Sequence, residues 1–279
     1  MDDSKIFIIG ANGQLGTALR SKYPNAGFAD RDQLDITDRA SVENFNWGGI
    51  EILINAAAYT NVDGAETPEG RIASWGINAD AVANLVAVAA RYNMLLVHVS
   101  SDYVFDGTSN DHREDEAFSP LSVYGASKAT GDLAVSLAPK YYLLRTSWVI
   151  GEGKNFVRTM LEVGKKGINP TVVSDQIGRL TFTSELVKAI DFLLDENPPF
   201  GTYNVTNSGE SVSWADITRE IYKFAGLDNK VTDITTDEYF DGKENIAVRP
   251  KQSTLDLTKI QSHGFKSEDW EDALERYVN

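Results

Sequence analysis

The sequence predicts an α/β fold: a doubly wound parallel sheet with a smaller mixed α/β portion attached. Three observations point there. Short apolar runs of strand length alternate with helical patterns through the first half, a glycine-rich turn joins the first such run to the first helix, and the alternation loosens near residue 150. The 279 residues, 42% of them hydrophobic, suffice for one large α/β domain or for a cofactor domain with a smaller companion.

Lys5-Ile-Phe-Ile-Ile9 is the first strand, and Gly10-Ala-Asn12-Gly13-Gln14-Leu15-Gly16 follows it directly into a helix beginning near Thr17. A dinucleotide pyrophosphate needs this order of strand, turn and helix. Gly10 permits the tight turn, Gly13 lets backbone approach the phosphates, and Gly16 lets helix and strand pack closely, with helix N-terminal amides facing the anion. The spacing is G-x-x-G-x-x-G, a Rossmann-type turn in this context.

The second strand ends near Phe28-Ala29, before Asp30 and Arg31. Asp30 stands about 20 residues past the first glycine, where an acid binds the ribose 2′-hydroxyl of NAD. Arg31 beside it suits the 2′-phosphate of NADP instead, so the two neighbours point to opposite cofactors. Leu34-Asp35-Ile36-Thr37 then leads into a helix with Thr37 as its N-cap, and Asp35 and Ile36 are placed to border an adenine, though a loop acid and an apolar anchor would look the same.

Glu51-Ile-Leu-Ile54 reads as the fourth strand-like run and empties into Asn55-Ala56-Ala57-Ala58-Tyr59, where small side chains leave room for a ligand at a strand's C-terminal end. Thr67-Pro68 opens a long helix towards Asn93. Within it Asn78 either positions a water or a backbone near the site, or caps a kink at Gly76.

Leu95-Leu-Val-His-Val99 is a buried parallel strand ending at Ser101, whose hydroxyl is placed to bond a substrate carbonyl. Tyr124-Gly-Ala-Ser-Lys128 puts a phenol and an ammonium on one helix face, and Lys128 is expected to lower the pKa of Tyr124 from about 10. Tyr141 to Thr146 is the next strand. Beyond about residue 150 a substrate-binding portion begins, with helices over 184–194 and 213–225, a strand near Tyr203 that rejoins the first sheet, and a closing helix from Glu268. Ser213 is the N-cap of the second of these helices, with Asp216 completing a capping box.

The net charge of −15 argues against a nonspecific nucleic-acid binder. Zero cysteines exclude disulfides, thiolate catalysis and cysteine-ligated zinc, and His98, His112 and His263 are too few and too scattered for a histidine triad or a zinc cluster. An acidic start without a basic, apolar leader, and the lack of any run of about 18 apolar residues, predict a cytoplasmic protein with no membrane partner.

Together these strings resemble the extended short-chain dehydrogenases/reductases, and within them the dTDP-4-dehydrorhamnose reductases, along nearly the whole chain. Carrying the resemblance are Gly10 to Gly16, Asn55 to Asp63, Asn78 to Leu85, Ser101 to Gly107, Tyr124 to Lys128, Arg145 to Trp148, Asp175 to Gly178 and Arg249-Pro250. The resemblance implies Tyr124 as general acid, Lys128 as its pKa modifier and ribose ligand, and Ser101 as the hydroxyl partner, a position where the family more often has threonine. It implies a dTDP-sugar site including Thr60, Val62, Ser101, Asp102, Tyr103 and Trp148, the indole covering sugar or thymine, with Asn155, Gln176 and Arg249 for the nucleotide and its diphosphate. Leu180 departs from the family's usual proline. Also implied are NADPH, with NADH left open, a homodimer, and in some members interfacial Mg2+, for which the sequence shows no ligand cluster. The expected chemistry is hydride transfer to the C4 ketone of a 4-keto sugar; the competing readings are a nucleotide-sugar epimerase or dehydratase, and a noncatalytic subunit like the regulatory partner of methionine adenosyltransferase. Residues 1–150, rejoined by about 180–206, would hold NAD(P), and 151–279 mainly the substrate.

Overall fold

The computed structural model describes residues 2–279. A six-stranded, all-parallel sheet is built from β1 (Ile6–Ile9), β2 (Gly27–Ala29), β3 (Ile52–Asn55), β4 (Leu95–Ser101), β5 (Tyr141–Thr146) and a late strand, Gly201–Asn204, in the order late strand-β5-β4-β3-β1-β2. After β2 the chain crosses to the other side of β1, so the strand order reverses between β1 and β3. In open α/β sheets a ligand crevice forms at that point.

Successive side chains of β1 feed two cores. Ile6 and Ile8 pack with α1 (Gln14–Lys22), while Phe7 and Ile9 point to the opposite layer. That second layer includes α2 (Arg39–Asn44), α4 (Ala81–Tyr92) and α5 (Val123–Val135), reached from α3 (Pro68–Trp75) through a five-residue π turn, Gly76–Asp80. Burial on both faces is why the strands read as unbroken apolar runs. By length and composition Pro68–Tyr92 could cross a membrane, yet half of its most apolar window is buried, as in the core helix of a folded sheet protein.

The rest of the chain makes short strand pairs: β6 (Val149–Ile150) with β9 (Thr181–Phe182), β7 (Thr171–Val173) with β12 (Thr232–Ile234), and β8 (Ile177–Gly178) with β11 (Val212–Ser213). These pack with α6 (Phe156–Lys165), α8 (Trp214–Phe224) and α11 (Trp270–Val278) around a third core containing Leu180, Ile217 and Trp270. Between them α7 (Thr183–Glu196) returns to the main sheet beside α1, and β10 (Gly201–Asn204) pairs with β5. Two further short helices, α9 (Thr236–Phe240) and α10 (Thr258–Ser262), complete the chain.

Caps follow the sequence where partners are local. Thr67 accepts from the Gly70 amide at the start of α3, and Ser213 with Asp216 forms a reciprocal capping box on α8. Two expectations change. The Glu51 run is the third strand and not the fourth, since α2 is the only regular element between β2 and β3 among the described residues, and Asp38 rather than Thr37 caps α2 because the Thr37 hydroxyl is held 2.6 Å from Asp35.

Candidate active site

The glycine turn closes by sterics. Gly10 has φ +79°, and a Cβ there would sit 2.5 Å from the Ala57 nitrogen; a Cβ on Gly16 would sit 2.1 Å from the Gly10 carbonyl oxygen. Strand β1, helix α1 and the Ala56-Ala57-Ala58 segment therefore meet at van der Waals distance. Two cavities open around this point. One, about 560 Å3, is lined by Asp30, Arg31, Asp35 and Ile36, and by Ala56 to Ala58. The other, about 690 Å3, is lined by Asn12, Gln14, Leu15, Thr60, Val62, Ser101, Asp102, Tyr103, Tyr124, Lys128 and Trp148. They share Gly13, Ala56 and Ala58, so they are two arms meeting at the glycine turn. The cradle and paired arms fit a dinucleotide, with its adenosine half beside Asp30 and its other half beside Tyr124.

The acids and bases at the adenosine end are already in contact. Asp30 accepts from the Asn12 amide (3.1 Å) and from the Arg31 amide (2.8 Å), so its carboxylate braces the turn. The Arg31 side chain is 79% exposed and 3.7 Å from Asp35, free to swing onto an anion.

At the other end, Tyr124 and Lys128 occupy successive turns of α5, whose N-cap Ser122 accepts from Gly125. Lys128 donates to the Val99 carbonyl at 2.8 Å. Ser101 donates to Asp102 at 3.0 Å and faces the Tyr124 phenol. The expected lowering of the Tyr124 pKa is corrected here: burial pushes it up to about 12, the Asp102 and Asp132 charges add to the rise, and Ser101 opposes it. Lys128 moves the other way, to about 8, through its own burial. Desolvation disfavours both charged forms and is the largest influence on each. Asp102 is likewise buried, with its pKa raised to about 6.

Asn78 is resolved as a clamp. Its side chain accepts from the Tyr59 amide (2.9 Å) and donates to the Tyr59 carbonyl (3.1 Å) and to Ser127 (3.1 Å), tying the Ala58 loop to α5 from within the π turn. His98 is a core residue, 3.0 Å from the Asn55 amide.

A third, smaller cavity of about 180 Å3 holds Gln176 and Arg249 together with Phe156, Trp214, Tyr239 and Phe240. Trp148 has φ +46° and stacks on Trp214, centroids 3.7 Å apart and planes 19° off, so only its other face is left for a ligand. Arg249 is held by Asp63 at 2.8 Å and lies 4.5 Å over the Phe240 ring. Gln176 donates to Thr236. Asn155 stands apart: it caps α6 and bonds Gly151 and the Tyr277 hydroxyl, lining none of the three cavities. Leu180 is fully buried in the third core and lines none of these three cavities. In a linear pattern Thr146, Ser147 and the aromatics of the small cavity look like ordinary core residues and Glu152 like a surface charge, so spacing does not single them out as cavity residues. Among the described residues no three His, Cys, Asp or Glu side chains gather into a group able to hold a metal.

Comparison with known proteins supplies the lineage. Residues 4–279 match a family model described as RmlD substrate binding domain. A dTDP-4-dehydrorhamnose reductase of Aggregatibacter actinomycetemcomitans is 38% identical over 97% of each chain, and the spore coat polysaccharide biosynthesis protein SpsK of Bacillus subtilis is 35% identical over 99% of this chain and 97% of its own. A crystal structure of dTDP-4-dehydrorhamnose reductase from Bacillus anthracis in complex with NADP superposes with a TM-score of 0.90 at 35% identity, covering 98% of this chain and 97% of that one. The fold, the glycine cradle and a match that runs from residue 4 to the last residue agree: this chain belongs to the RmlD substrate binding domain family.

Proposed function

We propose that the chain reduces dTDP-4-dehydro-L-rhamnose to dTDP-L-rhamnose, with NADPH as the preferred reductant. The observation that carries this reading is the convergence of Tyr124, Lys128 and Ser101 on a cavity continuous with the glycine turn, in a chain whose 38% identical relative bears that reductase name. A reduced nicotinamide in the arm beside Tyr124 supplies a hydride to C4 of the sugar. Tyr124 gives its phenolic proton to the oxygen that gains charge, and Ser101 donates a hydrogen bond to the same oxygen. Both interactions strengthen as charge develops, so they stabilise the transition state more than the bound ketone. Lys128 offsets the tyrosinate left behind. Residues 1–150 with the returning segment near 180–206 hold the cofactor, and most of 151–279 holds the dTDP-sugar, with Trp148, Gln176 and Arg249 facing the nucleotide.

The test is cofactor oxidation with dTDP-4-dehydro-L-rhamnose, run in parallel with NADPH and NADH. The reading expects one cofactor consumed per sugar, with NADPH preferred. Turnover without net consumption would place the chain with epimerases or dehydratases, which recycle their cofactor. Tyr124→Phe should bind cofactor yet lose about 10²- to 10⁴-fold in kcat, the range of general acid catalysis.

A further inference from the structure

Lys128 is 1% exposed. A buried ammonium without a nearby anion gives up its proton, so something must hold the charge that Tyr124 needs beneath it. Tyr124, Lys128 and Asp132 are four apart on α5 and occupy one face over successive turns. The Asp132 carboxylate is buried too, and it meets Arg145 of β5 through Arg145 Nε on Oδ2 at 2.9 Å. The guanidinium is fixed from three sides: Phe105 and Phe118 flank it at 5.1 and 5.0 Å, and it donates to the Glu114 carbonyl at 3.0 Å.

An arginine and an acid serving only each other tend to pair through two parallel hydrogen bonds. Here Arg145 takes one carboxylate oxygen with Nε and spends Nη1 elsewhere. Asp132 Oδ1 makes no hydrogen bond among the described residues. Arg145 therefore leaves one carboxylate oxygen untaken; the Ser100 hydroxyl lies close to the same carboxylate, and the ammonium one turn earlier on the same helix face is Lys128.

We propose that Asp132, kept ionised by Arg145, is a positioning residue that holds Lys128 as a cation and so sustains Tyr124 as a proton donor. This rests on the reading of Tyr124 and Lys128 given above. The charged and titratable groups around Lys128 are Tyr124 and Asp132 on its own helix, His98 and Asp102 from β4 and its end, and Arg145 from β5 behind Asp132. His98 supplies no anion in either protonation state, and burial with the Lys128 charge keeps its imidazole neutral rather than cationic. Asp102 bonds Ser101 and faces the phenol, where its charge opposes tyrosinate. Asp132 is the acid whose charge favours the ammonium, against the burial that drives Lys128 towards the neutral amine. Burial also works against the Asp132 charge and raises its pKa on balance, with Arg145 the largest influence opposing that rise and Ser100 and Lys128 adding to that opposition.

The experiment follows the Lys128 side chain directly, by NMR titration of protein labelled at lysine Cε and loaded with NADP, the signal being assigned by its loss in Lys128→Met. Asp132→Asn should lower the Lys128 midpoint by about one pH unit or more, a tenfold change in its protonation equilibrium. The basic limb of the kcat profile should move down with it. The double variant D132N/R145Q leaves no orphaned charge and should show the same direction if the single variant folds poorly. An unchanged midpoint and limb in a folded variant would overturn the proposal, and so would failure of both variants to fold, which would make the pair structural. Full turnover in Tyr124→Phe would instead overturn the acid assignment and leave the Lys128 titration standing.

Discussion

Gln14 Oε1 accepts a 2.7 Å hydrogen bond from the Gly151 amide, joining the glycine turn to the first residue after β6. The first residue of α1 thus ties the glycine turn to the start of the C-terminal portion, beside the large cavity that Gln14 lines. Gln14→Ala strands the buried Gly151 N–H and should cost about 1–3 kcal/mol of stability, the usual desolvation penalty of an orphaned donor. Denaturant melts read that loss, and cofactor titration should show weaker binding. Unaltered values in both would mean the contact is incidental.

Ser101 lines the large cavity with Ser100 and Ser147, and it is the one with a hydrogen bond to the Tyr124 phenol among the described residues. Ser101→Ala should lower kcat by about 10²-fold, the lower end of the loss from one missing donor to a developing oxyanion. Ser101→Thr keeps the donor and should keep most of the activity. The comparison of kcat between the two variants isolates the hydroxyl from the shape of the site.

If the exposed Arg31 is what receives a 2′-phosphate, its removal should separate the two cofactors. Arg31→Ala should weaken NADPH binding by about 10-fold or more, since a hydrogen bond to a charged group contributes about 1.5–3 kcal/mol. NADH binding should hardly change. Equal losses for the two cofactors would assign Arg31 to the pyrophosphate or to the fold instead of the 2′-phosphate.

Asp102 should make the protein less stable as the pH rises. Its folded pKa of about 6 lies above the ordinary aspartate value of 3.8, so the native state binds the proton more tightly. The stabilising proton is fully present below about pH 4 and is lost through pH 6. Asp102→Asn, which keeps an acceptor for Ser101, should therefore stabilise at pH 7 by on the order of 2 kcal/mol relative to its effect at pH 4. Urea melts at the two pH values test this, and a pH-independent difference would count against a buried, ionising Asp102.

What the sequence by itself determined is what depends on near neighbours. The Gly10 to Gly16 turn, the Thr67 and Ser213 caps, and the placement of Tyr124 and Lys128 on one helix face follow from spacing, and the structure has each of them. Where two local acceptors compete, spacing already fails: Thr37 was the better-looking cap, but Asp35 captures its hydroxyl and Asp38 takes the role. Only the tertiary structure decided the electrostatics. Spacing puts Lys128 beside Tyr124, but burial sets the sign of the shift, and burial comes from β4, β5 and the loops around them. Partners remote in sequence were equally invisible, as with Asp63 holding Arg249, Trp214 covering one face of Trp148, and Tyr277 helping to occupy Asn155. A linear pattern records which groups a chain can offer. The dielectric around them, and the partner that reaches them first, exist only once distant segments have packed together.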